Sequence, residues 1–381
     1  MVLISIVITL LYLLLIGSFV FGFDKVAVFK LKNLKAKTTF SVIIPFRNEA
    51  ENLPNLLASI GALGYPNHLY EIIFIDDESD DDSVEIIKKF YNKTLKGFDC
   101  AQPDIKVISN KKTSNSPKKD AITTAIKQAK NEWIITTDAD CILPKYWLDS
   151  FDESIQTTKS KCIVAPVTYT NENSFLNHFQ LLDMLSLQGA TIGGFGIKKP
   201  FLCNGANFGY QKKMFLELNG FEGNKNIASG DDVFLLEKAV KKHPKNVGYL
   251  KCKHAIVTTK AQPTWNTLKA QRIRWAAKTS AYNNVFGKLT GFIVLLMNAL
   301  IISLLTLTLI NEFSYKSFIY ILIIKFSIDY LLVFKSASFF NQKQVLKTYI
   351  LGFLLYPFFS VFIAFVSVFK GYKWKDRNFK K

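Results

Sequence analysis

The chain has 381 residues, of which 49% are hydrophobic; 48 Lys and Arg against 30 Asp and Glu leave a net charge of +18. That apolar content excludes a disordered chain, and the length accommodates one large domain or two ordinary ones. Five cysteines, Cys100, Cys141, Cys162, Cys203 and Cys252, are too sparse for a disulfide scaffold and form no CxxC pair for zinc. They read as reduced thiols on the cytosolic side.

Residues 1–23 carry no charge; the first charged residue is Asp24. The stretch is long enough to cross a hydrocarbon core of about 30 Å. A cleaved signal peptide would begin with a positive region and end at a small-x-small site, and neither is present, so residues 1–23 are expected to be an uncleaved anchor. Lys25, Lys30, Lys32, Lys35 and Lys37 follow, which by the positive-inside rule stay in the cytoplasm and leave the N-terminus outside.

From residue 38 the composition is mixed. FSVIIP (40–45) is a short β-branched run ended by proline, the signature of a buried strand. Residues 53–60 read as a helix, 70–75 as a strand ending in Asp76 and Asp77, 84–91 as a helix and 105–109 as a strand. Residues 120–130 read as a helix, and 133–137 as a strand ending in Asp138-Ala-Asp140. Strands alternating with helices imply a mostly parallel sheet, with ligands bound beyond the carboxyl ends of its strands. Arg47, Glu49, Asp76, Asp77, Asp138 and Asp140 all fall at such ends.

Asp138 and Asp140 can share one hard cation, Mg2+ or Mn2+, with substrate phosphates completing its shell; alone, the pair would also suit a turn or helix cap. The acidic run 76–82 lacks the Gly and the closing Glu of a calcium loop, so its second half is expected to be a solvated turn and helix start. At 230–232, Gly-Asp-Asp opens an apolar helix, where Asp is also an ordinary starter. QRIRW (271–275) lies in a basic amphipathic stretch, 264–284, suited to a membrane interface.

Apolar stretches return at 289–310, 317–334 and 348–369; the middle one contains Lys325 and Asp329, which share a helix face and can pair. Together with the anchor, three crossings put the C-terminus outside. Yet Lys370, Lys373, Lys375, Arg377, Lys380 and Lys381 mark the tail as inside. Either the middle segment does not cross or the tail departs from the rule. Lysines beside the spans account for most of the charge as partners of anionic headgroups. No basic stripe with interleaved aromatics points to nucleic acid.

In order, these blocks resemble the membrane-bound processive and lipid-modifying enzymes of glycosyltransferase family 2, which include cellulose, hyaluronan and poly-N-acetylglucosamine synthases and ceramide glucosyltransferases. SVIIPFRNE (41–49) resembles the opening strand and nucleotide loop, and IDDES (75–79) the strand-end motif whose Asp binds the base. TDAD (137–140) resembles the DxD metal motif. Gly230-Asp231-Asp232 stands where the family has its TED or ED motif, and Gln271 to Trp275 matches QxxRW. SPKK (116–119) resembles a Gly-Lys segment, with Pro117 in place of Gly, and FLCNGAN (201–207) the acceptor-side loop. Asp231 departs from the usual Glu by one methylene.

The resemblance implies an α/β fold, a GT-A (Rossmann-like, mostly parallel sheet) catalytic domain with one N-terminal and about three C-terminal transmembrane helices. The expected division is an anchor (1–23), a basic linker (24–37), the GT-A domain (38–263), an interfacial segment with QxxRW (264–287), C-terminal transmembrane helices (288–370) and a basic tail (371–381).

The resemblance also implies roles for single residues. Asp232, with Asp231, is the catalytic base. Pro45, Arg47, Glu49, Asp77, Lys118 and Asp138 bind the nucleotide sugar, Lys118 having a solvated loop lysine as its plainer reading. Asp138 and Asp140 bind Mg2+ or Mn2+. Gln271, Arg272, Arg274 and Trp275 meet the acceptor or the diphosphate, Arg274 with Arg272 adding a second positive partner on the diphosphate face that meets the metal; Trp275 suits a sugar ring and an interfacial anchor equally. One base without a second carboxylate nucleophile fits single displacement with inversion.

The implied reaction is sugar transfer from a nucleotide diphosphate sugar, by default a UDP-sugar, to a membrane lipid or lipid-linked glycan at the cytoplasmic face of the cell (inner) membrane. QxxRW also suits a processive synthase, although the span count is low for a self-sufficient polysaccharide channel. A transporter would need ionisable residues in several spans, where only Lys325 and Asp329 qualify. A non-catalytic nucleotide-sugar-binding protein would not need Asp140, Asp232 and Arg274 intact.

Overall fold

The computed structural model describes residues 2–97, 103–227, 229–279, 281–369, 371–374 and 377–379. Cys100 and the tail lysines Lys370, Lys375, Lys380 and Lys381 lie outside the described residues. In chain order the elements are α1 (Val2–Lys25), β1 (Phe40–Phe46), α2 (Leu53–Gly61), β2 (Tyr70–Asp76), α3 (Ser83–Gly97), β3 (Asp104–Ser109), α4 (Pro117–Gln128), β4 (Trp133–Thr136), β5 (Cys141–Ile142) and α5 (Trp147–Thr157). There follow β6 (Cys162–Val164), β7 (Val167–Tyr169), α6 (Phe175–Gly196), β8 (Phe208–Gln211), α7 (Lys212–Glu217), α8 (Asp231–Lys242), β9 (Val247–Tyr249) and β10 (Val257–Thr259). The chain ends with α9 (Trp265–Thr279), α10 (Val285–Leu309), α11 (Tyr315–Phe339), α12 (Tyr349–Phe369) and the short strands β11 (Tyr372–Trp374) and β12 (Arg377–Phe379).

These elements form two compact units. The first, Ala27–Thr168 with Leu202–Lys260, is an α/β unit. Its seven-stranded sheet has the order β3-β2-β1-β4-β8-β6-β9. β3, β2, β1 and β4 run parallel, and β8 is antiparallel to both of its neighbours. The β-branched runs explain the burial: Ile43, Ile44, Ile73, Phe74, Ile134 and Ile135 are fully enclosed. In register, Ile43 lies between Ile73 and Thr136, so β1, β2 and β4 end along one edge and deliver residues 47–49, 77 and 138–140 to the same side.

Two details differ from expectation. α4 begins at Pro117 rather than residue 120, because proline at the first helical position loses no hydrogen bond and brings a preset φ. The basic linker is strapped to α5: the Lys32 and Leu34 N–H groups donate to Glu153, and the Thr38 N–H and hydroxyl donate to Asp152. Both carboxylates are buried. The described cysteines Cys141, Cys162, Cys203 and Cys252 are free thiols.

The second unit comprises Met1–Val26, Tyr169–Phe201 and Ala261–Lys381. Among the described residues, four of its helical segments are long and apolar enough to cross a membrane: Val2–Lys25, Val285–Leu309, Tyr315–Phe339 and Lys343–Phe369, the last a 3-10 turn (Lys343–Thr348) continued by α12. They include the middle segment, whose Lys325 and Asp329 pair at 2.7 Å while the Tyr12 hydroxyl donates to Asp329. Residues 169–201, expected within a continuous 38–263 domain, group with this unit instead. The reason is the small-residue face of α6. Gly193 and Gly196 bring its backbone against α1, so close that a Cβ built on Gly196 would lie 1.8 Å from the Gly22 carbonyl oxygen, and one on Gly193 2.5 Å from that of Phe19. Gly196→Ala is therefore expected to destabilise the chain by at least about 1–3 kcal/mol, with a lower melting temperature in detergent. Gly17→Ala, where nothing lies within 4 Å, should be neutral or stabilising by up to about 1 kcal/mol. Equal melting temperatures for the two variants would refute the tight α1–α6 packing.

Candidate active site

Beyond the sheet edge, Arg47 acts as a brace. Its Nη1 donates to the carbonyls of Asp77 (2.8 Å) and Glu78 (2.6 Å), and Nη2 lies 3.4 Å from Asp80, so the guanidinium expected on the nucleotide sugar is committed to shaping the loop after β2. Pro45 is in β1 itself, against Ile75 of β2. Glu49 accepts from the Asn52 side chain at 2.7 Å. Asp81 accepts from the N–H groups of Ala50 and Ser83, which makes the second half of the acidic run a turn and helix start, as expected.

Asp77 is 8% exposed. Its N–H donates to the Phe46 carbonyl, and its Oδ1 accepts from Asn110 Nδ2 at 2.7 Å. Asn110 also reaches the Pro117 carbonyl, so one amide ties the ends of β2 and β3 to the start of α4. Asn110 went unnoticed in the sequence, where it is a polar residue after a strand like many others.

Lys118 is not a solvated loop residue. Standing in the first turn of α4, it reaches Asp138 Oδ1 at 2.6 Å and Asp231 Oδ2 at 3.7 Å. Burial opposes its charge, but Asp138, Asp231 and Asp232 outweigh that and raise its pKa above the usual lysine value. Thus Lys118 brings together two acidic motifs about 90 residues apart. Burial and the neighbouring Asp138 and Glu49 carboxylates push Asp140 up to about 6, against a Thr259 hydrogen bond and Lys118.

Among the described residues no group of three or more Asp, Glu, His or Cys side chains forms a cage for a metal. Two carboxylates, one of them crowded by its like-charged neighbours, fit the sparse donor set of a hard cation that takes its remaining ligands from phosphate and water.

Asp231 and Asp232 open α8 after Gly230, whose φ of +84° disfavours any side chain. Asp232 Oδ2 accepts the Gly205 N–H at 2.9 Å and Oδ1 the Val233 N–H at 2.8 Å. Gly205 allows this approach: a Cβ there would lie 3.1 Å from Asp231 Oδ2, 3.5 Å from Asp232 Cβ and 3.6 Å from Lys118 Nζ. Asn207 holds the loop in place. Fully buried, it accepts from the Trp147 indole and donates to the carbonyls of Pro166 and Ala255. The GxN spacing in FLCNGAN was the available signal for both residues.

Within the second unit, α9 carries Gln271, Arg272, Arg274 and Trp275. Residues two apart on a helix point about 200° apart, so Arg272 and Arg274 have different surroundings. Arg272 is buried, with Nε 2.7 Å from Asp183 of α6, its guanidinium 4.2 Å from the Trp275 ring centre and Nη1 hydrogen-bonded to Gln271 Oε1. Gln271, Arg274 and Trp275 are half-buried.

Two family models match the chain: "Glycosyl transferase family 2" over residues 41–218 and "Glycosyl transferase family group 2" over residues 133–366, more than half of the chain. A poly-beta-1,6-N-acetyl-D-glucosamine synthase from Staphylococcus epidermidis is 26% identical over 62% of this chain and 53% of its own. An undecaprenyl-phosphate 4-deoxy-4-formamido-L-arabinose transferase from Pseudomonas savastanoi is 37% identical over 26% of this chain and 27% of its own. The chain thus spans between about a quarter and about half of the length of these relatives. Among solved structures, a mannosyltransferase from Pyrobaculum calidifontis in complex with GDP-Man and Mn2+ superposes with a TM-score of 0.54 at 13% identity, covering 97% of this chain and 99% of that one. This likeness supports the GT-A fold. With strand-end carboxylates on a mostly parallel sheet and a family match over more than half of its length, the chain belongs to glycosyl transferase family 2.

Proposed function

We propose that this chain transfers a sugar from a nucleotide diphosphate sugar to a membrane lipid or lipid-linked glycan, by single displacement with inversion, at the cytoplasmic face of the cell (inner) membrane. The observation that carries this reading is the meeting of Asp138, Lys118, Asp231 and Asp232 beside Gly205 at the edge of the sheet. Asp232 is the general base: both of its oxygens are oriented by backbone N–H groups, and the carboxylate keeps acceptor capacity for a sugar or lipid hydroxyl. Asp77, held by Asn110, would meet the base of the donor, and Glu49 its ribose.

Asp138 and Asp140 would hold Mg2+ or Mn2+, which when bound supplies positive charge against the departing diphosphate. By the resemblance of QRIRW to QxxRW, Gln271, Arg274 and Trp275 are assigned to the acceptor or the diphosphate; Arg272 serves by holding Gln271 and Trp275. The lipid reading draws on the undecaprenyl-phosphate sugar transferase, and the lysines after α1 favour the cytoplasmic side. A second reading, processive chain synthesis, draws on the poly-N-acetylglucosamine synthase, whose match extends over 62% of this chain.

The test is a donor screen on the detergent-solubilised chain with Mn2+ or Mg2+ and membrane lipid extract, following release of nucleoside diphosphate. UDP-sugars come first, and GDP-sugars belong in the panel because the fold relative holds GDP-Man. Metal-dependent release with one donor is expected, with radiolabel entering the lipid phase. Label in an insoluble polymer would favour the processive reading. Release from no donor, with folded protein, would favour a non-catalytic binding role.

A further inference from the structure

Resting on the metal-dependent reading above, we propose that Lys118 is a placeholder cation, seated on the Asp138 carboxylate while no donor is bound and displaced when metal and donor arrive together. Three observations carry this. First, the Lys118 ammonium lies 2.6 Å from Asp138 Oδ1, one of the two carboxylates suited to a hard cation. A divalent ion cannot take that oxygen while the ammonium holds it, because the two positive charges would be at contact distance.

Second, the same ammonium lies 3.7 Å from Asp231 Oδ2 and under Gly205, so it balances the two acidic motifs at once. Metal on Asp138 alone would take from Lys118 its nearer anion, at 2.6 Å, and leave it the more distant Asp231, at 3.7 Å, beside a second positive charge. A diphosphate entering with the metal gives the displaced ammonium a new anion of equal strength. Metal and donor are then expected to bind with strong mutual help, and metal alone weakly.

Third, the displacement is local. The neighbouring Lys119 is 1% exposed, and its Nζ donates to the carbonyls of Asn224 and Ile227, each at 2.8 Å, with the Phe234 ring 4.7 Å away. Two adjacent lysines thus divide the work: Lys119 fixes the first turn of α4 to the segment leading into α8, while Lys118 is left able to exchange partners.

The test measures Mn2+ binding by electron paramagnetic resonance on the full chain in detergent, alone and with UDP or GDP, for wild type, Lys118→Gln, Lys118→Met and Lys118→Arg. A neutral residue should tighten binding of Mn2+ alone by about tenfold or more, and Lys118→Arg, which keeps the charge, should leave it weak. Either neutral variant that keeps a cooperative melt suffices. Mn2+ binding in the neutral variants no tighter than in a wild type that binds Mn2+ with nucleotide would overturn the placeholder role and leave the metal reading intact. Equal tightening by Lys118→Arg would also overturn it. No Mn2+ binding to any variant with either nucleotide would overturn both.

Discussion

Asp232→Asn is expected to lower turnover by about 10²–10⁴-fold, the usual contribution of a general base, with donor KM close to wild type. The reason lies in how the carboxylate is held. Gly230 turns the chain with a positive φ, α8 starts at Asp231, and Asp232 sits in its first turn, where the helix dipole favours an anion. Gly205 N–H and Val233 N–H fix its two oxygens from different sides. A carboxylate satisfies both donors and still accepts a hydroxyl proton. An amide satisfies one and points an NH2 at the other, a mismatch worth about 1–3 kcal/mol of stability. The variant should therefore melt somewhat lower but remain folded, bind donor and fail to turn over. Asp231→Asn should act differently: Asp231 is buried and reaches Lys118, so its loss should appear mainly in donor and metal affinity. Turnover of Asp232→Asn within about threefold of wild type would remove Asp232 from the role of base, and Asp231 would be the next candidate.

The sequence made much of this arrangement readable for a physical reason: strands and helices announce themselves by local period, and parallel topology then dictates where strand ends gather. FSVIIP, the run ending in Asp76-Asp77 and the run ending in Asp138-Ala-Asp140 needed only neighbouring residues to be recognised, and the structure places their ends along one edge. What stayed hidden depends on pairing across long separations. Nothing near Lys118 in the chain says that it will meet residues 20 and 113 positions on; the burial of Asn207 depends on Trp147, Pro166 and Ala255. The grouping of residues 169–201 with the helical unit was more accessible. Gly189, Gly193 and Gly196 stand at near-helical spacing in an apolar run, a pattern that favours close helix contact. The arginines of QRIRW were also decidable, since helical geometry alone sends residues 272 and 274 to different faces.

The consequence of that geometry is the second large effect: Arg272→Ala should cost about 3–5 kcal/mol of stability, because it removes the cation from the buried Asp183 carboxylate and leaves it the neutral Tyr356 hydroxyl. Replacing both members, Asp183→Asn with Arg272→Met, should recover most of that loss, since the expense lies in a buried charge left without a counter-charge rather than in the absence of the pair. Stability and function should then separate. Arg272 also holds Gln271 through a hydrogen bond and lies against the Trp275 ring, where a planar cation gains from the ring's face. The double variant restores the fold without restoring those two contacts. If Gln271 and Trp275 meet the acceptor, it should melt near wild type yet show a raised acceptor KM with donor KM unchanged. Arg272→Lys should fall between, because an ammonium keeps the charge but lacks the flat fork that serves Asp183, Gln271 and Trp275 together. Thermal melts in detergent paired with acceptor titrations read both quantities. A double variant with wild-type acceptor KM would reduce Arg272 to a structural ion pair, and one that melts no higher than Arg272→Ala would show that the pair itself holds α9 against α6.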